Sequence, residues 1–137
     1  MPSRIQRSRK KGWRMPKGAI YVGRPTAWGN PFAVGEFYVN RGPWSRTAPY
    51  PRSGPEQEPR LRTDGFGRPY EEFVAKVRDR AHAVELFTAH ISYEDVGVWD
   101  PKEIRYWLGD SDLVCWCPLA EPCHADLLLH IAAGGEI

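Results

Sequence analysis

The sequence predicts a small α/β protein: a two- or three-layer Rossmann-like sheet with flanking helices and a long Pro/Gly-rich loop insertion. Three observations carry this. Short apolar runs of strand type stand near both ends of the chain. Segments with apolar residues at helical spacing lie between and after them. The resulting order of strand, helices, strand and helix calls for a crossover and a parallel strand pair. At 137 residues the chain has the size of one domain and can bury a core.

Residues 1–17 read as a basic N-terminal arm, and 18–137 as a single α/β domain. Ala19-Ile20-Tyr21-Val22, bounded by Gly18 and Gly23, reads as the first strand. Gly23 to Phe32 is rich in Gly and Pro and reads as a loop with specified turns. Glu36-Phe37-Tyr38-Val39 reads as a second short strand. Residues 40–68, full of Pro, Arg, Gly and Ser, read as an irregular loop insertion. From Pro69 the spacing of Phe73, Val74, Val77, Ala81, Val84, Leu86 and Phe87 predicts one long helix or two adjoining helices over 69–91.

The C-terminal third is clearer. Asp100 can cap a helix that Pro101 opens, with Ile104, Trp107 and Leu108 facing inward and Gly109 ending it. Residues 112–117 read as a buried strand. Pro122 opens a last helix with Leu127, Leu128, Ile131 and Ala132 on its apolar side, stopped at Gly134-Gly135.

Composition narrows the class. A hydrophobic fraction of 42% with six tryptophans describes a globular chain rather than a disordered one. No apolar run reaches the length of a membrane span, so no membrane contact is expected. The basic N-terminus lacks the apolar stretch of a secretory signal. Three cysteines, all within residues 115–123, are not a disulfide framework. They point to a reducing compartment, so a cytoplasmic location is expected. Charge is unevenly placed. The first 24 residues hold eight Lys/Arg and no acid, leaving eleven bases against seventeen acids in the rest. Arg4, Arg7, Arg9, Lys10, Lys11 and Arg14 form a segment suited to a polyanion such as nucleic acid, or to a solvated tail.

Two motifs carry chemistry. The first is Cys115-Trp116-Cys117 followed by Cys123-His124 at a helix N-terminus, where unpaired N–H groups favour anions and thiolates. Three readings fit it. Cys115, Cys117, Cys123 and His124 supply three sulfurs and an imidazole for a tetrahedral zinc, although C-x-C-x5-C-H is not a standard zinc spacing. Alternatively, Cys123 is a reactive thiolate with His124 as its proton partner and Asp126 in the same turn. In the third, small buried cysteines and a capping histidine serve packing alone. The second motif is the loop after the first strand. There Arg24 can fork onto a phosphate, Thr26 and Asn30 can orient a ligand or fix turns, and Trp28 can stack on a base.

Together the stretches Ile20-Tyr21-Val22-Gly23-Arg24-Pro25-Thr26-Ala27-Trp28-Gly29-Asn30-Pro31-Phe32, Leu113-Val114-Cys115-Trp116-Cys117-Pro118 and Pro122-Cys123-His124-Ala125-Asp126 resemble the DUF4326 family. The resemblance spans about residues 18–133. It implies small proteins of phages and actinobacteria with a compact domain and a shared site, and it names no reaction. The basic opening Arg4 to Pro16 is similar to that of some actinobacterial members. Segment 40–68 is longer than the family pattern. A strand ending in Cys before a helix opening with Cys-His is also similar, locally, to the DUF488 family.

The functional expectation is a nucleotide- or nucleic-acid-directed protein, either an enzyme or a nucleotide sensor. Arg24, Thr26, Trp28 and Asn30 would hold the ligand, and Cys123 and His124 would do chemistry or bind anion. The alternative is a non-enzymatic phage accessory module that contacts a host protein or DNA through a zinc-stabilised or packed Cys/His cluster. No phosphate-binding glycine loop, dinucleotide fingerprint or Ser/His/Asp pattern narrows the reaction.

Overall fold

The computed structural model describes residues 2–42, 49–92 and 100–136. In chain order its elements are β1 (Arg4–Gln6), β2 (Ile20–Tyr21), β3 (Phe37–Gly42), β4 (Tyr50–Pro51), β5 (Gln57–Thr63), β6 (Pro69–Lys76), α1 (Arg80–Ser92), α2 (Pro101–Leu108), β7 (Leu113–Cys115) and α3 (His124–Ala132). The protein is a mixed α/β structure with one parallel and one antiparallel sheet. Two compact units divide it: Met1–Asn30 with Trp99–Ile137, and Pro31–Val98.

The first unit holds the parallel sheet, in the order β1-β7-β2. Leu113, Val114 and Cys115 are buried, as a central strand with neighbours on both sides requires. Ile5 and Tyr21 both lie opposite Val114, and Gln6 lies opposite Cys115. The opening segment is therefore not wholly an arm: Arg4–Gln6 is an edge strand, and the Arg7 N–H donates to the Cys115 carbonyl at 2.7 Å. Helix α3 packs on β7, β1 and α2, burying Ala125, Leu128 and Ile131.

Local chemistry sets both helices. Asp100 Oδ1 accepts from the Glu103 N–H at 2.9 Å, Pro101 takes the first turn, and Gly109, at φ 48°, closes α2 onto the Arg105 carbonyl. Ile104 and Leu108 are buried as expected, but Trp107 is not: it is 59% exposed and stacks edge-on against Tyr106. The last helix starts at His124 with Cys123 as its N-cap, so Pro122 lies just before the cap. Strand β7 stops at Cys115, two residues short of the expected end.

The second unit holds the antiparallel sheet, in the order β4-β3-β6-β5. Two expectations are corrected by it. The start of the predicted 69–91 helix is strand: β6 pairs with β3 on one side and β5 on the other, and buries Glu72 and Val74 at period two. Only from Arg80 does helix α1 begin, capped by Asp79, whose Oδ1 accepts from the His82 N–H at 2.8 Å. The expected 40–68 insertion contributes the end of β3 and all of β4 and β5 to the sheet, with residues 43–48 outside the described set. Asp64 Oδ1 accepts from the Phe66 and Arg68 N–H groups, and Gly67 at φ 78° completes the β5–β6 turn. Phe32, Tyr38, Val77, Ala83 and Leu86 form the unit's core. Among the described residues, no helix is long and apolar enough to cross a membrane.

Candidate functional site

Strand β7 ends where the chemistry begins. Cys115 is its last residue, Cys117 follows in the bend after it, and Cys123 caps α3. These three sulfurs lie within 4.8 Å of one another and could hold a metal ion. Cys115 and Cys123 are buried, and Cys117 is half-buried. For a tetrahedral zinc with Zn–S near 2.3 Å, sulfurs stand roughly 3.8 Å apart. The Cys115–Cys123 separation of 3.0 Å is shorter, a direct sulfur–sulfur hydrogen bond in which either thiol can donate. The three are free cysteines.

The sulfurs are not equivalent. Hydrogen bonds to Cys117 and Cys123, together with burial, push the Cys115 thiol far up. Cys123 goes the other way. Hydrogen bonds from Cys115 and Cys117, then from His124 and the Ala125 N–H, outweigh its burial and hold its thiol far below the ordinary range.

His124 joins this site to the N-terminal loop. Its Nε2 is 2.7 Å from the Val22 carbonyl. A carbonyl only accepts, so Nε2 carries a proton. Its Nδ1 lies 3.6 Å from Cys123 Sγ. The predicted metal quartet is thus a compact set of three sulfurs, with His124 alongside Cys123 rather than within the set.

Asp126, the third predicted reactive residue, turns outward and pairs with Arg4 Nε at 3.3 Å. Arg4 itself is the largest correction among the basic residues. It belongs to β1, and its side chain is only 7% exposed, so it is not part of an outer polyanion contact. Its Nη2 donates to the Leu119 and Glu121 carbonyls at 2.7 and 2.9 Å, tying down the turn between Cys117 and Cys123. Burial works against its charge. A hydrogen bond with Cys123 and attraction to Asp126 and the sulfurs outweigh that, so its pKa is raised.

The other basic residues face outward. Arg7 lies over the Tyr21 ring at 4.7 Å and over Trp116 at 5.1 Å, and Arg9 lies over Trp116 at 4.9 Å. Lys10, Lys11 and Arg14 are exposed. Trp116, between two inward cysteines, is itself exposed. Trp116 and Tyr21 are functional candidates that neither motif singles out. The sequence does carry a signal for Trp116, because alternation along Cys115-Trp116-Cys117 turns the indole away from the sulfurs.

The loop residues mostly hold the loop. Arg24 Nε donates to the Asn30 carbonyl at 2.7 Å, and the Tyr21 hydroxyl donates to the Arg24 carbonyl at 2.8 Å. Thr26 Oγ1 donates to the Gly23 carbonyl. Asn30 is buried, Thr26 and Trp28 are half-buried, and Arg24 is exposed.

A protein-family profile described as "Domain of unknown function (DUF4326)" matches residues 5–134, nearly the whole chain. The chain belongs to the DUF4326 family. Both motifs of this DUF4326 chain, the loop after β2 and the Cys-Trp-Cys to Cys-His element, fall inside the match. No curated protein and no solved structure matches it.

Proposed function

We propose that this chain is a nucleic-acid-directed binding module with a zinc ion in its cysteine centre. The observation that carries the reading is the position of Arg7 and Arg9, both over the exposed Trp116 ring. An exposed indole with two guanidiniums beside it combines an aromatic surface for a base with charge for its phosphates, the combination single-strand binders use. Lys10, Lys11 and Arg14 extend the positive surface, and no acid precedes Glu36 in the sequence. Binding would be salt-dependent, because each phosphate neutralised releases counterions.

Zinc suits the donor set. Three thiolates favour a soft or borderline cation, and a divalent ion removes most of the repulsion between them. Cys115, Cys117 and Cys123 would hold it. His124 would give a fourth donor through Nδ1 or a hydrogen bond to the Cys123 thiolate. Bound there, the ion would fix the turn that presents Trp116.

A second reading keeps Cys123 as a reactive thiolate with His124 as its proton partner and a nucleotide held by Arg24 and Trp28. It is favoured by the 3.6 Å approach of His124 Nδ1 to Cys123 Sγ at the start of α3. One experiment separates the two. Tryptophan fluorescence is titrated with a nucleotide panel and with short single-stranded DNA and RNA. Quenching by the oligonucleotides, lost in Trp116→Phe or weakened by salt, is the expected result. A response to a mononucleotide alone favours the second reading. Folded protein that answers to none of them refutes both.

A further inference from the structure

Residues 115–117 belong to two surfaces at once. Cys115 and Cys117 turn their sulfurs to the metal set, and Trp116 between them stands under Arg7 and Arg9. The basic segment is fixed to the same three residues from its own side. Gln6 pairs with Cys115 in the parallel register, and the Arg7 N–H donates to the Cys115 carbonyl. Arg4, three residues earlier, holds the Leu119 and Glu121 carbonyls of the turn that returns to Cys123. Its Nη1 is buried and has no hydrogen-bond partner among the described residues. A buried cationic donor with no acceptor is costly unless negative charge stands near it; Asp126 and Cys123 already supply some of that charge, and three thiolates on a divalent ion would add to it.

From this arrangement we infer that metal loading and nucleic-acid binding are coupled, with each ligand tightening the other through Cys115-Trp116-Cys117. The inference rests on the proposed reading of both surfaces and adds the regulation between them. The contacts that hold the turn from Trp116 to Cys123 include the sulfur hydrogen bond, the Glu121 N–H to the Pro118 carbonyl and the carbonyl contacts of Arg4. With the ion, both neighbours of Trp116 are bonded to one point. The indole is then held in place before a base arrives, and the base no longer has to order it. Linkage is reciprocal, so an oligonucleotide that prefers the ordered platform must also hold the metal more firmly, by the same factor.

The test uses the full chain loaded with zinc. Zinc affinity is measured by competition with a chromophoric chelator, with and without a saturating short oligothymidylate. Oligothymidylate affinity is measured by fluorescence anisotropy, with and without one equivalent of zinc. The expected result is a gain of at least about fivefold in each affinity, equal within error in the two directions. Trp116→Ala, which leaves every metal donor in place, should still take one zinc but lose the gain. An oligothymidylate that binds yet leaves zinc affinity unchanged overturns the coupling alone, and this arm needs no folded zinc-free protein. A gain that survives in Trp116→Ala also overturns it, because the link then runs elsewhere. If no zinc binds, or no oligothymidylate binds, the corresponding half of the proposed function falls and the coupling falls with it.

Discussion

Single side chains decide what the first unit can do. Hydrogen bonds from Cys115, Cys117, His124 and the Ala125 N–H draw the Cys123 thiol down, while hydrogen bonding and burial push the Cys115 thiol up. Arg4 shows the same logic from the cationic side, with its guanidinium held under the 118–121 turn. In the second unit His82 plays an unrelated structural part. Its Nδ1 accepts from the Arg78 N–H at 3.0 Å, and its ring stacks edge-on against Tyr38. Burial, and then the charge of Arg78, lower its pKa below 6.5, with Glu85 and Asp79 opposing. A lowered folded-state value means that the unfolded chain takes the proton more readily. His82 therefore contributes stability that is fully present above pH 6.5 and is lost as the pH falls through the folded-state value. Thermal melts from about pH 7 down to pH 5 should show the melting temperature falling. His82→Gln should flatten that fall, and an unchanged slope in the variant would assign the pH dependence to other groups.

At the scale of elements, how much the sequence reveals depends on where each strand's apolar residues point. Strand β7 is legible because all three of its residues are buried and apolar. Helix α2 is legible because Asp100, Pro101 and Gly109 mark both ends. Asp100→Ala should remove the hydrogen bond to Glu103 N–H and cost about 1 kcal/mol of stability by chemical denaturation. A loss near zero would mean that Pro101 alone sets the start. Strand β5 is illegible for the opposite reason. It is an edge strand exposed along nearly its whole length, so Gln57–Thr63 carries no apolar period and its Pro and Arg content reads as loop. Strand β6 reads as helix in the sequence because Phe73, Val74 and Val77 fit helical spacing, whereas the strand's buried period-two face runs through a charged residue, Glu72, before Val74. Pairing with strands on both sides settles it.

At the scale of the molecule, two compact units share one chain, and the proposed chemistry lies in the unit that joins the two ends of the sequence. The candidate site is half legible for that reason. Three cysteines and a histidine confined to residues 115–124 announce themselves. The strand pairing that carries Arg7 and Arg9 to Trp116 joins residues more than 100 positions apart, and no local pattern encodes it. Arg4 falls in with the outward basic residues in the sequence because composition cannot distinguish an exposed arginine from one turned inward against carbonyls.

The most direct test of the nucleic-acid reading is the affinity for a short single-stranded oligonucleotide across a range of salt concentrations, for the wild type and for the double variant Arg7→Ala with Arg9→Ala. If both guanidiniums neutralise phosphates, log affinity should fall linearly with log salt. The double variant should then lower the slope by about 1.4, which is roughly 0.7 for each phosphate left without its guanidinium on a single strand. Equal affinity and equal slope in the two proteins would contradict a nucleic-acid role for the Arg7–Trp116–Arg9 surface.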